Sequence, residues 1–469
     1  MTDTIANPPG ERELRGATLC QTLHWLAAGR IDSARLAQTF AESIARANPA
    51  LNAFIAPLPG ASVFDAAQAS DRRRHSGKPI GRLDGVSVAV KDNIDVAGMP
   101  TSCGLPGRTA AVTRDAHVIE RLRGAGALIL GKTNLDEGVL GAAGTNPHFG
   151  NVHNPWRHGF SAGGSSSGAA AAVAAGLCTA AIGSDSLGSS RIPASYCGVY
   201  ALKPTPGEIS TRGLWPAARR LDSIGLLARS VDDLNVLLHV LAGCDPEDPR
   251  SRRRRIDLAL PDWEPGKLRV GVLGDLAAWG TQAEVAQMFA QGLAKLEHEL
   301  PNQHIVDFAD FSIPQARRAA FFLIEAEMQA TYGPALDKNA AHPISTQLAA
   351  LLDYARGKSA ADYATADRWL DAAVLKARRL FAEVDVLITP TTPQPAFAHD
   401  APVPSTQADF TCFANLAGCP ALSLPMGITQ DGLPVGLQLL GPAGSDLRLL
   451  ELAEVCAAAL DTTPAYPIG

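Results

Sequence analysis

The chain has 469 residues, of which 46% are hydrophobic, 19% charged and 6% aromatic. That much apolar material builds a large core and excludes extensive disorder. Its 41 Lys and Arg against 47 Asp and Glu leave a net charge of −6, which excludes a nucleic-acid binder resting on bulk positive charge.

The polar N-terminus shows no basic segment followed by an apolar one. The longest apolar stretch, residues 169–183, falls short of the roughly 20 residues of a membrane span. The expectation is a cytoplasmic protein without membrane contact. Its 8 cysteines form no CxxC pair and no HExxH accompanies them, so reduced buried thiols and no metal site are expected.

In chain order, Asp32 and Ser33 offer a cap to a helix whose apolar positions Leu36, Ala37, Phe40, Ile44 and Ala47 recur at helical spacing. Asn48-Pro49 is expected to stop it. A second helix is predicted over 64–75, strands over 86–90 and 127–130, and a short helix over 116–124. Residues 268–273, 284–300 and 305–308 read as strand, helix, strand. Helices follow over 314–332 and 360–383, a strand over 384–389, strands over 421–424 and 436–440, and a closing helix over 447–460. Such alternation predicts an α/β fold. Residues 244–255 read as an exposed linker, with the Arg252–255 run a solvated face.

Residues 161–168 read SAGGSSSG and run into AAAAVAAG. A flexible linker would continue into polar sequence. A phosphate loop needs a lysine that this segment lacks. The remaining reading is a serine-rich turn entering a helix, which gathers hydroxyls and free N–H groups at a positive helix end. A second cluster, GSDSLGSSRIPA over 183–194, places Ser189 in a tight glycine turn that suits a nucleophile with an oxyanion hole or a plain turn. The histidines nearest in sequence, His148, His153 and His158, lie in loop sequence without a signature. Lys91 ends the predicted strand over 86–90, where burial can strip its charge, or where it can simply extend to solvent. Spacing alone leaves the base open.

Taken together, GVSVAVKDNIDVAG (85–98), the 161–176 block, the 183–207 block, VDVLITPTTP (384–393) and FTCFANLAGCPALSLPMGITQDGLPVGLQLLG (410–441) resemble the amidase signature family of serine hydrolases. The resemblance covers nearly the whole chain in order and is weakest over 245–378. It implies a single large α/β/α domain around a mixed sheet over 77–469, with residues 1–76 an N-terminal helical segment packed on it.

The resemblance further implies a Ser–cis-Ser–Lys triad of Lys91, Ser165 and Ser189. The backbone N–H groups of Ser186, Leu187 and Gly188 would form the oxyanion hole, with Asp185 and Arg191 supporting that loop. Ser102, Cys103, Gly104 and Phe149, together with the 314–332 helix, are candidate pocket residues. No metal or organic cofactor is implied. Two positions depart from the family pattern: Leu187 stands where glycine is usual, which bears on pocket size, and Ala162 where proline is common.

The implied activity is cleavage of a small-molecule amide. The same motifs occur in the amide-cleaving component of glutamine-dependent aminoacyl-tRNA amidotransferases, which works with partner subunits that would hold tRNA. An inactive member serving as a binding or scaffold protein is the reading from another class, against which stand the three intact triad positions. The expected partner is a small amide, with no direct nucleic-acid contact, and a homodimer remains open.

Overall fold

Val88 and Val90 turn to one side of their strand and Ala89 to the other. The same alternation separates Ile182 from Ala181 and Leu226 from Leu227. A strand apolar on both faces belongs inside a sheet covered on both sides, and burying each Val or Leu contributes about 1.5–3 kcal/mol. The computed structural model of the protein describes residues 8–58, 60–252, 264–332, 343–462 and 466–468.

The strands are β1 (Phe54–Pro57), β2 (Ser87–Lys91), β3 (Leu128–Thr133), β4 (Ala180–Asp185), β5 (Tyr200–Lys203) and β6 (Ser223–Ala228). They continue with β7 (Val270–Leu273), β8 (Gln303–Val306), β9 (Val386–Pro390), β10 (Ala421–Ile428) and β11 (Pro434–Leu440). Among the described residues they form one 11-stranded mixed sheet, ordered β1-β3-β2-β4-β6-β5-β10-β11-β9-β7-β8. β2 runs parallel to both β3 and β4, so their carboxyl ends meet at one edge, where α/β sheets place ligands. One face is packed by apolar residues of the helices His117–Gly124, Val231–Leu241 and Asp446–Leu460. On the other face lie the helices Ser33–Leu51 and Ser167–Ala174.

The Ser167–Ala174 helix is buried along its whole length. Its alanines leave no bulky side chain, so it lies close under the sheet, as an all-apolar helix must. Two arginines close its C-terminal end. Arg15 donates to the Ala175 and Gly176 carbonyls, and Arg229 to those of Val173 and Cys178. Cations satisfy orphan carbonyls there and oppose the helix dipole.

Three expectations change. The first long helix runs through Pro49 to Leu51, because Asn52 adopts a left-handed conformation (φ 55°) and closes the last turn on the Asn48 carbonyl. Asp32 gives that helix no side-chain cap. Its first N–H groups, on Ser33 and Ala34, donate instead to the Asp71 carboxylate of the neighbouring helix at 2.7 and 3.0 Å. The exposed linker expected over 244–255 is tied down as far as it is described. Asp245 and Asp248 are buried and accept from Ser210, and the Arg252 N–H donates to the Gly207 carbonyl. Arg253, Arg254 and Arg255 lie outside the described residues. The other predicted elements occur with shifted ends, while β1, β4, β5 and β6 carry no period that sets them apart from their surroundings. Among the described residues no helix is long and apolar enough to cross a membrane. Six of the cysteines are buried, Cys20 is partly so, and Cys244 is exposed.

Candidate functional site

Lys91 is the last residue of β2, and its side chain is fully buried. Its Nζ lies 2.7 Å from Ser165 Oγ and 2.8 Å from Ser184 Oγ. Burial disfavours the ammonium and pulls its pKa from 10.5 down to about 7. Asp136, Asp185, Asp222 and Cys103 act in the opposite direction without cancelling that effect. A buried amine that titrates near neutrality is a base at physiological pH.

Ser165 follows a cis peptide bond with Gly164 and lies just before the buried helix. Position 164 has to be glycine: a Cβ there would sit 2.0 Å from Asp136 Oδ2. Asp136 itself is buried, so its carboxyl rises to about 6, held there against the lowering effect of the Thr145, Ala143 and Gly144 N–H groups.

Ser189 lies on the loop after β4. Its carbonyl accepts the Ser166 N–H at 2.9 Å, which stitches this loop to the serine turn. Asp185 organises the loop. Its carboxylate accepts the N–H groups of Gly188 (2.8 Å) and Ser190 (3.1 Å) and pairs with Arg191 at 2.9 Å. Burial alone would raise the Asp185 carboxyl, but the Arg191 guanidinium outweighs it and holds it far below the ordinary range. Arg191, also fully buried, spends its other donors on Thr411 O, Gln438 Oε1 and Asn415 Oδ1. Both charges are therefore compensated, as a buried pair requires.

The structure thus joins Lys91 to Ser165 by side chains and Ser189 to that pair through backbone. Gly188 takes φ 122°, a region that favours glycine, and a Cβ there would meet Thr411 Oγ1 at 2.1 Å. Its N–H, one of the three expected oxyanion donors, is engaged by Asp185 instead. Leu187 needs no positive φ, which is why a leucine can replace the usual glycine there. Thr411 Oγ1 donates to its carbonyl, and its side chain lines the cavity. Ser186 donates to Asp222, whose carboxyl burial raises to about 6.

Ser186, Leu187 and Ser189 line a cavity of about 320 Å³. Its far wall comes from the Ile313–Tyr332 helix, with Arg317, Arg318, Phe321, Ile324 and Glu325, and from Leu351 and residues 403–405, 407 and 408. Arg318 grips the buried Glu325 through both Nη atoms at 3.1 Å, and Arg317 Nε lies 2.7 Å from Asp409 Oδ1. Ser102, Cys103, Gly104 and Phe149 do not line this cavity. Ser102 donates to Asp92, Gly104 passes its carbonyl to Asn146, and the Phe149 carbonyl accepts from Asn52. Burial pushes the Cys103 thiol up to about 12. Among the described residues no histidine lines the cavity either: His148 bonds Glu137, and His153 stacks on His158. Ser184, Asn93, Asp136 and Asp222 are the residues that sequence patterning did not single out. Ser184 and Asn93 lie within the motif blocks, yet nothing in their spacing marks them.

The amidase family profile matches residues 35–450. The A-type subunit of glutamyl-tRNA(Gln) amidotransferase from Synechococcus sp. (strain RCC307) is 36% identical, over 91% of this chain and 94% of its own. Its counterpart in Methylococcus capsulatus is 34% identical, over 96% and 99%. Among solved structures, native peptide amidase from Stenotrophomonas maltophilia superposes with a TM-score of 0.81 at 29% identity, covering 96% of this chain and 98% of its own. The corresponding glutamyl-tRNA(Gln) amidotransferase component from Thermotoga maritima gives 0.78 at 27%, covering 94% of each.

Proposed function

The chain belongs to the amidase family, and from that premise we propose that it hydrolyses an amide C–N bond by acyl transfer to Ser189. The observation that carries this reading is the fully buried Lys91 amine 2.7 Å from the Ser165 hydroxyl. Neutral Lys91 takes the Ser165 proton while Ser165 takes that of Ser189. The Ser189 Oγ–carbon bond forms, and the carbonyl becomes an oxyanion facing the N–H groups of Ser186, Leu187 and Ser189. The C–N bond then breaks as the proton returns through Ser165 to the leaving nitrogen. Water adds to the ester by the same relay and frees the acid. Each well-placed oxyanion donor is worth about 3–4 kcal/mol of barrier.

For the amide itself, two readings differ. A small-molecule amide suits a cavity walled largely by Leu187, Phe321, Ile324 and Leu351, whose two arginines already have carboxylate neighbours. Glutamine, cleaved within a tRNA amidotransferase assembly, is favoured by the names of the curated relatives. In that assembly tRNA belongs to the complex, so the absence of nucleic-acid contact expected from charge does not extend to it. The test is a panel of aliphatic and aromatic amides together with glutamine, alongside fluorophosphonate labelling of Ser189. Turnover of simple amides by the chain alone, with no glutaminase activity, supports the first reading. Glutamine cleavage that rises on adding partner subunits supports the second. A chain that takes no label at Ser189 and turns over no amide sinks the hydrolase reading.

A further inference from the structure

Lys91 does not face Ser165 alone. Its other side-chain contact, Ser184 Oγ at 2.8 Å, is also 3.0 Å from Asn93 Nδ2. All of these residues are buried, with Asn93 1% exposed. Asn93 follows Lys91 by two positions, and its backbone is pinned by the Trp215 N–H, which donates to its carbonyl at 2.8 Å. Ser184 is the residue before Asp185 on β4. The pair therefore bridges the strand that carries the lysine and the loop that carries Ser189.

A neutral amine has two N–H donors and one lone pair. To receive the Ser165 proton, Lys91 must aim the lone pair at Ser165 and an N–H at Ser184. A serine hydroxyl can work against this by donating its own proton into the lysine lone pair. Whether it does depends on what else holds it. Asn93 Nδ2 also reaches the Ser184 oxygen, and its Oδ1 has no hydrogen-bond partner among the described residues. A carboxamide offers both a donor and an acceptor. In the structure its N–H donates to the Ser184 oxygen; with an N–H of Lys91 on the same oxygen both Ser184 lone pairs are filled, and the amine's own lone pair is left for Ser165. We propose that Asn93 and Ser184 form a positioning pair that aims the Lys91 lone pair at Ser165. The proposal rests on the acyl-transfer reading above. It goes beyond the triad, because neither residue exchanges a proton with the substrate.

The test measures kcat, KM and the pH dependence of Ser189 labelling in Ser184→Ala, Ser184→Thr, Asn93→Ala and Asn93→Ser. The groups whose charge also reaches Lys91 are Asp136, Asp185, Asp222 and Cys103, and all stay in place in these variants. Ser184→Ala is expected to lower kcat at least about tenfold with little change in KM, within the range a misdirected general base loses. The acid-limb midpoint of labelling should shift with it. Ser184→Thr keeps the hydroxyl and should recover most of kcat. Since its added methyl needs room, the Asn93 variants form an independent series: Asn93→Ala impaired, Asn93→Ser partly restored. Wild-type kcat and midpoint in both alanine variants would overturn the proposal. So would a loss that follows thermal stability while the midpoint stays fixed. Wild-type protein inert to every amide and to the probe would instead remove the hydrolase reading and this pair with it.

Discussion

The two walls of the cavity are built differently. The Ser189 wall is backbone, pinned by buried groups: Asp185 takes the N–H groups of Gly188 and Ser190, Arg191 binds four partners, and Lys91 bridges two serines. The opposite wall is side chains of the Ile313–Tyr332 helix, Leu351 and residues 403–405, 407 and 408, where Val403 is 52% exposed. A site held within a fraction of an ångström needs rigid support around it. A wall of exchangeable side chains can change its substrate without touching the chemistry. Substitutions on the first wall should therefore affect rate or folding, and those on the second should affect choice of amide.

The largest effect should break the Ser189 wall outright. Ser189→Ala is expected to cost at least about 10⁴-fold in kcat, as loss of a nucleophile does, with an unchanged melting temperature. An active Ser189→Ala protein in an amide-release assay would end the comparison.

Lys91→Met should come next, with turnover at neutral pH lost by about 10³-fold or more. It also carries a stability signature. The folded pKa of Lys91 is near 7 against 10.5 for the free side chain. Below pH 7 the lysine is charged in both states and the native fold bears the whole burial cost. Between about 7 and 10.5 only the unfolded chain keeps the proton, so that cost is full at the acid end and shrinks as pH rises. Stability attributable to this group is therefore fullest at low pH only if the ammonium were favoured by the fold; here the fold disfavours it, and the sign reverses. With the amine neutral in the folded state and charged in the unfolded one, raising pH from 7 towards 10.5 removes the proton that unfolding would otherwise take up, and the native state gains. Lys91→Met should therefore raise the melting temperature more at pH 6 than at pH 9, as calorimetry can check. Wild-type activity should climb with pH through about 7; a flat profile from acid to alkaline conditions contradicts the assignment of Lys91 as base.

Asp185→Asn tests the pinning itself. It leaves Arg191 as an uncompensated buried charge, a change worth about 3–5 kcal/mol of stability. Chemical denaturation should show that loss together with loss of activity. The smallest effect belongs to the far wall: Phe321→Ala should alter relative kcat/KM across the amide panel by about 10–200-fold while the acid limb stays at its wild-type midpoint. A midpoint that moved would show that the walls are not independent.

Legibility followed the same division. Lys91, Ser165 and Ser189 stand in long blocks because each sits at a backbone junction that tolerates few residues, such as Gly164 against Asp136 and Gly188 against Thr411. The 314–332 helix could be read from its period and expected as pocket wall because it lies where the family resemblance is weakest, but its facing residues could not be named. Ser102, Cys103, Gly104 and Phe149 looked eligible by position, yet the loops carrying them turn to Asp92, Asn146 and Asn52.

Hydrophobic period and glycine placement act over neighbouring residues, so the α/β class, most long helices and the motif-bearing turns can be read from the amino-acid order. Packing of distant segments is what keeps Pro49 inside its helix, makes Asp71 cap a helix it does not belong to, and commits the Gly188 N–H to Asp185. It also brings Ser184 and Asn93 to Lys91. Those outcomes depend on groups far apart in the chain competing for the same few donors and acceptors, and no local pattern records which of them meet.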